Sequence, residues 1–351
     1  MTRPIRWKLA DLAAVPKNGA RVLTTFSCGG GSSMGYKLEG FDVVAANDID
    51  PVMARHYKAN HNPQHYFLCP IKELVPKLPR ELFGIDVLDG SPPCSTFSTA
   101  GLREKAWGVD KHFREGQAKQ VLDDLFFDFL DVVEEVQPKI VVAENVKGMI
   151  AGNAKGYVRA VMKRLDDLGY AAQTFLVNGA DCGLPQLRER VFFVAIRRSF
   201  NAPPLKLSLA GRWVSSSEAM AAVENSKEEL DAAFAAGNQP TFIDHWSRVL
   251  PGDNFARTIT KERGKRSFFS WTKINPNTPC PTIPAGWKLL FHWNEPRRLT
   301  INEIRVLSSF PDDYVFESES IGGYMMGMSV PPYMMAAVAG AIKEQWLKHI
   351  L

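Results

Sequence analysis

Several features that would settle the class of this 351-residue chain are missing from it. The five cysteines, Cys28, Cys69, Cys94, Cys182 and Cys280, are odd in number, widely spaced and form no CxxC pair. That argues against a zinc site or a disulfide framework and for a reducing cytosol. No apolar run reaches the roughly 18 residues of a membrane span, and the N-terminus lacks a basic-then-apolar signal pattern. Repeats and low-complexity tracts are absent. So is a strong charge of one sign: 42 Lys and Arg against 38 Asp and Glu leave +4. Such a balance is compatible with a nucleic-acid partner but common among other enzymes. What remains is a soluble intracellular protein, expected in the cytoplasm, with 45% hydrophobic and 23% charged residues. It is long enough for one large domain or two unequal ones.

The first 200 residues alternate short β-branched runs with helical patterns. Strands are expected at Arg21–Phe26, Val43–Asn47, Asp86–Leu88, Ile140–Ala143, Ala172–Val177 and Val191–Ile196. Helices are expected at Ser33–Glu39, from Asp50-Pro51 onward, at Val121–Val136 and at Tyr157–Leu168. Pro after an acidic cap is a helix start signal, and the near-continuous apolar run at Ile140 suits a strand buried on both faces. This order predicts an α/β fold, a doubly wound, mostly parallel Rossmann-like sheet. Near Phe200 the pattern breaks. Its one clear helix after that starts with a capping box, Ser215-x-x-Glu218, and is expected to run to Gly237. Basic residues are dense from Arg257 to Arg298. The expected division is 1–199 as the main domain, 200–296 as a second, smaller domain, and 297–351 as a return to the first. Thr300–Ser308 and Pro331–Leu347 are read as helical.

Four constellations carry chemistry. Phe26-Ser27-Cys28-Gly29-Gly30-Gly31 joins the first strand to the first helix, where glycines let the backbone approach a ligand. About 20 residues on, Asn47-Asp48-Ile49 ends the second strand, and an acid there accepts hydrogen bonds from both hydroxyls of a ribose. Together they suggest an adenosine-containing cofactor, and the spacing disfavours the dinucleotide GxGxxG. In Gly90-Ser91-Pro92-Pro93-Cys94, two prolines fix the backbone ahead of a cysteine at the top of the sheet, which presents a thiolate as a nucleophile. A lone cysteine is otherwise a small buried hydrophobe. Ala143-Glu144-Asn145-Val146 puts a carboxyl at a strand end beside the same crevice, suited to a hydrogen-bond or general-acid role. In Gln186-Leu187-Arg188-Glu189-Arg190 the alternation puts two guanidiniums on one face.

In this order and spacing, the four elements resemble the C5-cytosine DNA methyltransferase family, with its cofactor loop, Pro-Cys nucleophile, Glu-Asn-Val and Gln-x-Arg-x-Arg. Leu125-Phe126-Phe127-Asp128 is similar to the family's helix after the catalytic loop. Arg298-Leu299-Thr300 through Glu303 to Phe310-Pro311-Asp312 resembles the ninth motif, and Met326 to Pro332 the tenth. The likeness spans about residues 21–200 and 297–348. It implies that 200–296 is a target-recognition domain and that double-stranded DNA is the partner, with no metal, no membrane and a monomeric state. It implies S-adenosyl-L-methionine held around Phe26, Ser27, Cys28, Gly29, Gly30, Gly31, Asp48, Ile49, Ile71, Pro93, Leu125, Met328, Ser329 and Val330. It implies catalysis by Cys94, Glu144, Gln186, Arg188 and Arg190: Cys94 adds to C6 of a flipped cytosine, Glu144 protonates N3, Arg190 holds O2, and Arg188 supports the region of the thiol. DNA contacts are expected from the loop after Cys94, at Arg103, Lys105, Lys111 and Arg114, and from Lys261, Arg263, Lys265 and Arg266.

The chain departs from that pattern at Cys28, at Ser95, at Cys69-Pro70 (which removes a carboxylate expected at the adenine amino group) and at Met328. Met328 replaces an Asn expected near the sulfonium, so a modified sulfonium analogue is one alternative expectation. An enzyme acting on tRNA cytosine and a DNA-binding protein that has lost catalysis are the others. A bacterial or phage origin is expected from the same resemblance, with restriction-modification, phage self-protection and regulation all open as the biological role.

Overall fold

A computed structural model describes residues 3–93, 110–111, 120–121, 125–150, 155–209, 211–235, 240–258 and 271–351, with backbone only at 110–111, 120–121 and 240–241. The chain divides into two compact units. A sheet unit holds Ala10–Asn178, Glu189–Leu209 and Pro332–Leu351; a second unit holds Met1–Leu9, Gly179–Arg188 and Ala210–Pro331.

The sheet unit opens with β1 (Arg21–Thr25), α1 (Gly31–Leu38), β2 (Asp42–Asp48), α2 (Pro51–His61), β3 (His65–Leu68) and β4 (Val87–Gly90). A two-residue pair follows, β5 (Asp110–Lys111) antiparallel to β6 (Gln120–Val121). Then come α3 (Leu125–Val136), β7 (Ile140–Val146), α4 (Lys155–Asp167) and β8 (Tyr170–Asn178). The chain makes β9 (Gln186–Leu187) in the second unit and returns as β10 (Glu189–Arg197). The seven-stranded sheet has the order β3-β2-β1-β4-β7-β10-β8. Its pairs are parallel from β3 to β7, and only β10 runs against its neighbours β7 and β8. This is the expected mostly parallel sheet.

Local chemistry explains the starts. Asp50 caps α2, its carboxylate accepting from Val52 N at 2.8 Å and Met53 N at 3.3 Å, with Pro51 at the first helical position. The strand β4 is buried along its whole length, and β7 from Ile140 to Asn145, which is why their apolar runs do not alternate. The helix expected from Val121 begins at Leu125, because Val121 is taken into β6.

The second unit is built from α5 (Ser216–Met220), α6 (Lys227–Ala235), α7 (Pro240–Arg248), β11 (Thr272–Lys273), β12 (Cys280–Pro281), β13 (Leu290–Phe291), α8 (Ile301–Leu307) and α9 (Glu319–Met328). Short parallel pairs join β11 to β13 and β12 to β9. Phe242, Val249, Phe255 and Phe291 form a small aromatic core, with Trp246 and Trp271 packed against it. The single helix expected from Ser215 to Gly237 is in fact two. Ser215 Oγ does accept from Glu218 N at 3.2 Å, but the Glu218 carboxylate pairs with Arg212. The reciprocal capping box lies at Ser226, where Ser226 Oγ accepts from Glu229 N at 3.2 Å and Glu229 Oε2 accepts from Ser226 N at 2.7 Å. That box opens a new helix, α6.

After Pro331 the chain re-enters the sheet unit as α10 (Pro332–Gln345). The stretch Glu319–Gln345 has a window apolar enough to resemble a span, with mean hydropathy 1.3, but that window is 78% buried and Ser329–Pro331 break the helix. Within the sheet unit α1 lies directly on α10: a Cβ at Gly35 would fall 2.5 Å from Met335 Cβ and 2.7 Å from Pro332 O. Gly35→Ala should therefore overpack this contact, cost about 1–3 kcal/mol and lower Tm by several degrees in calorimetry.

Candidate active site

In the sheet, β1 lies between β2 and β4, so the chain winds one way from β1 and then the other. Crevices open at the carboxyl ends of the strands where such a reversal occurs. Residues 26–31 leave the sheet from β1 and residues 91–93 from its neighbour β4.

The 26–31 loop is strained. Phe26 (φ 53°), Cys28 (φ 46°) and Gly30 (φ 74°) all take the left-handed conformation, which costs a residue with a Cβ about 1–3 kcal/mol. Hydrogen bonds hold it there. Ser27 N donates to Asn47 O at 3.0 Å and Gly30 N to Ser27 O at 2.7 Å. Cys28 N donates to Asp48 Oδ2 at 2.7 Å, while Asp48 Oδ1 accepts from Asp50 N at 2.9 Å. Beneath the loop His61 Nε2 lies 3.3 Å from Gly29 O. Burial, helped by the nearby Lys37 charge, pushes His61 down to about 3, so it stays neutral. A Cβ at Gly30 would lie 2.2 Å from His61 Nε2, which admits only glycine. Burial raises Asp48 to about 6, with the Asp50 and Cys28 amides opposing it. The Ile49 amide is a third backbone donor to this carboxylate. Beyond it, Asn47 Nδ2 donates to Phe67 O and Cys69 O, both at 2.9 Å, fixing the turn that buries Ile71. Ile49 is half-buried and Leu125 is buried in the main core.

The segment from Asp89 to Pro92 is anchored from both sides. Thr25 Oγ1 donates to Asp89 O and Asn145 Nδ2 to Pro92 O, each at 3.0 Å. Gly90 has no room for a side chain: a Cβ would meet Phe129 Cε2 at 2.6 Å and Thr25 Oγ1 at 2.7 Å. Pro93 is half-buried. Cys94 lies outside the described residues. So do Arg103, Lys105, Arg114, Lys261, Arg263, Lys265 and Arg266, and Lys111 is described only as backbone of β5.

At the end of β7, Glu144 Oε1 pairs with Arg190 Nε at 2.9 Å, and both side chains are nearly buried. Burial pulls Arg190 below its ordinary value, and the Glu144 charge opposes this. The expected alternation across 186–190 is not that of one strand. Gln186 and Leu187 pair with β12, whereas Glu189 begins β10. Arg188 donates to Ile283 O (3.1 Å), Gly327 O (3.0 Å) and Ser329 O (3.2 Å). The Gln186 amide is spent likewise, donating to Leu307 O and accepting from Ile283 N, both at 3.1 Å. Met328 ends α9 and is 43% exposed, while Val330 is buried. The buried Ser329 Oγ has no hydrogen-bond partner among the described residues. Motif reading passed over Asp89, Asn145, Thr25 and His61 as site residues, because their work is done across strands distant in sequence.

The family model of the C-5 cytosine-specific DNA methylases matches residues 20–344. The chain belongs to that family. It is a DNA cytosine-5 methyltransferase, and the family implies use of S-adenosylmethionine. The tRNA-directed and catalysis-free alternatives find no support. This methyltransferase is 28% identical to the type II methyltransferase M.NgoPII of Neisseria gonorrhoeae over 93% of its own length and 96% of that protein's. It is 28% identical to M.FnuDI of Fusobacterium nucleatum, over 92% and 94%. Among solved structures, a variant of Spodoptera frugiperda DNMT2 superposes with a TM-score of 0.65 at 17% identity, covering 92% of this chain and 99% of that one. Entamoeba histolytica EhMeth does so at 0.63 and 14%, covering 93% and 99%. These two likenesses establish the fold.

Arg190→Met leaves the Glu144 carboxylate buried without its guanidinium, and breaking such a pair costs about 3–5 kcal/mol. Denaturant unfolding of this variant should show that loss. Replacing Glu144 and Arg190 together by Gln and Met should recover much of it.

Proposed function

We propose that this methyltransferase modifies cytosine in double-stranded DNA through Cys94, Glu144 and Arg190, with 200–296 recognising the target and with 297–351 returning to the catalytic domain. The observation that carries the reading is the placement of Glu144, paired to Arg190, at the end of the strand beside β4, whose own end leads into Pro93-Cys94. Carbon 5 of cytosine is a poor nucleophile in an electron-deficient ring. The Cys94 thiolate adds to C6 and the displaced electron pair makes C5 nucleophilic. Glu144 gives a proton to N3, which offsets the charge developing in the ring. Arg190, held by Glu144, binds O2 in this reading, and loss of the C5 proton then expels Cys94. A duplex hides these atoms, so the base is flipped out at a cost of a few kcal/mol. The basic residues at 103–114 and 261–266 are suited to the backbone of the opened duplex.

The residues present fit S-adenosylmethionine, which supplies an electrophilic methyl group when bound. Asp48 offers two carboxylate oxygens to ribose hydroxyls. The backbone of Gly29, Gly30 and Gly31 follows the Cys28 amide that meets this carboxylate, and Ile49, Ile71 and Leu125 offer apolar side chains in the same unit. Gln186 and Arg188 act by holding backbone. A modified sulfonium cofactor is the finer alternative at Met328; plain 5-methylcytosine as the sole product in nucleoside mass spectrometry removes it. A monomer in the cytoplasm of a bacterium, or of a phage-infected one, within restriction-modification, completes the proposal.

Bisulfite sequencing of DNA from cells expressing the wild type should show 5-methylcytosine in one short motif, and Cys94→Ala should abolish it. Wild type, but not Cys94→Ala, should form a covalent adduct with 5-fluorocytosine duplex. A signal that persists in Cys94→Ala rejects the nucleophile.

Because Asp48 titrates near 6, its charged, accepting form prevails above that pH and is lost as pH falls through it. Affinity for S-adenosylmethionine should therefore weaken from pH 8 to pH 5.5 in titration calorimetry. Asp48→Asn should bind about 10- to 100-fold more weakly at pH 8 and show a flatter pH dependence.

A further inference from the structure

The basic run that begins at Arg257 ends in two adjacent arginines whose surroundings are opposite. Arg297 is buried and answered by acids: its guanidinium donates to Glu295 Oε2 at 2.5 Å, Glu303 Oε1 at 2.8 Å and Glu303 Oε2 at 2.9 Å. Arg298 meets no acceptor among the described residues, and its Nε is buried without a hydrogen bond. Elsewhere in the described part of the second unit, Arg212, Arg248 and Arg257 pair with Glu218, Asp244 and Asp253. Arg188 and Arg305 donate to backbone carbonyls.

The unanswered guanidinium is also a fixed one. Arg298 is bridged to Phe291 of β13, and its N donates to Ala233 O of α6 at 3.3 Å. Its side chain lies over the Phe291 ring, 6.0 Å from the centroid, and that ring belongs to the aromatic core of the unit. Arg298 is half-buried, and burial pulls it below its ordinary value. Withdrawing a cation from water costs free energy that a counter-charge normally offsets. A ring beneath it returns only about 0.5–1 kcal/mol and takes none of the five N–H donors.

We propose that Arg298 binds a phosphate of the DNA backbone, so that the DNA-contacting surface of the second unit extends past residue 296. This rests on the reading that 200–296 recognises the target. The acceptor that suits Arg298 carries negative charge, comes from outside the chain and takes paired, coplanar donors. The two free oxygens of a phosphodiester do all three. A solvated arginine gives up water and rotamer freedom when it binds, whereas Arg298 has already lost much of both, which lowers the cost of the contact. A backbone contact carries no sequence information of its own but fixes the register in which bases are met.

The test is titration of the full-length enzyme with duplex DNA at several salt concentrations, followed by fluorescence anisotropy. Arg298→Met keeps an unbranched side chain on the ring and removes the charge. It should weaken binding about 10-fold, equally for target and non-target duplexes, and lower the slope of log affinity against log salt by about one. Arg298→Lys should keep the slope and lose part of the affinity. Because the charge is unpaired in the free protein, Arg298→Met should melt no lower than the wild type. A lower Tm with the slope unmoved would show Arg298 to be structural only, and wild-type affinity and slope reject the contact outright. Arg298→Gln carries the same comparison if Arg298→Met does not fold. Replacing Lys261, Arg263, Lys265 and Arg266 together by Ala separates the two claims. Wild-type binding by that variant and by Arg298→Met rejects the reading of the second unit, whereas weakening in that variant alone rejects Arg298 alone.

Discussion

The lateral pairing of β4 between β1 and β7 is the constraint on which the site depends. The segment that leaves the sheet through Ser91, Pro92 and Pro93 is only as steady as the strand beneath it, and β4 is short, four residues from Val87 to Gly90. Its neighbours supply what its length does not. Thr25 and Asn145, from either side, each bond a carbonyl of the segment running from Asp89 to Pro92, and Phe129 fills the space that a side chain at Gly90 would need. Removing any one of these contacts leaves the others in place. The strand is buried on both faces, so local fraying would expose apolar surface and is disfavoured.

The cofactor loop meets a different difficulty. Phe26 and Cys28 hold left-handed backbone without being glycine, an energetic cost that turn formation alone does not offset. Asp48 offsets it, since a hydrogen bond to a charged acceptor contributes about 1.5–3 kcal/mol and its carboxylate takes three backbone donors. The same carboxylate is the group proposed to receive the ribose. On that proposal, loop geometry and ligand affinity share one ionisation. His61 adds support from below, and its neutrality prevents an uncompensated charge beneath the glycines.

Much of this was legible in the sequence, and what was not has physical reasons. The strand β7, the capped start of α2 and the crevice loops follow from local pattern: an unbroken apolar run, Asp before Pro, glycines after a strand. The Ser215 box misled because a Ser-x-x-Glu spacing does not reveal whether the glutamate is already engaged. Here Arg212 takes Glu218, and a second, complete box eleven residues on restarts the helix. The alternation of Arg188 and Arg190 misled because a period of two holds only while the chain stays in one strand, and this one changes partners between Leu187 and Glu189. Asp89 and Asn145 were passed over because their roles come from register across strands, which no local window contains.

The Gln-x-Arg-x-Arg segment shows why residues of that kind stand at that spacing. Gln186 and Arg188 belong to the second unit and Arg190 to the sheet unit, so the division of the chain falls inside the motif. Each residue satisfies groups in its own unit. The Gln186 amide, one donor and one acceptor, bridges Leu307 O and Ile283 N. Arg188 has five donors in a rigid fork, and it reaches three carbonyls across two segments, including those on either side of Met328. A lysine would bring the charge without the fork. Arg190 instead meets a carboxylate, where planarity and charge both count. The motif therefore has two members that hold backbone of the second unit and one that meets a carboxylate in the sheet unit, and two arginines of identical chemistry are not interchangeable. The turn that carries Met328 is held by Arg188 itself, so a substitution at Arg188 loosens Gly327 and Ser329 together.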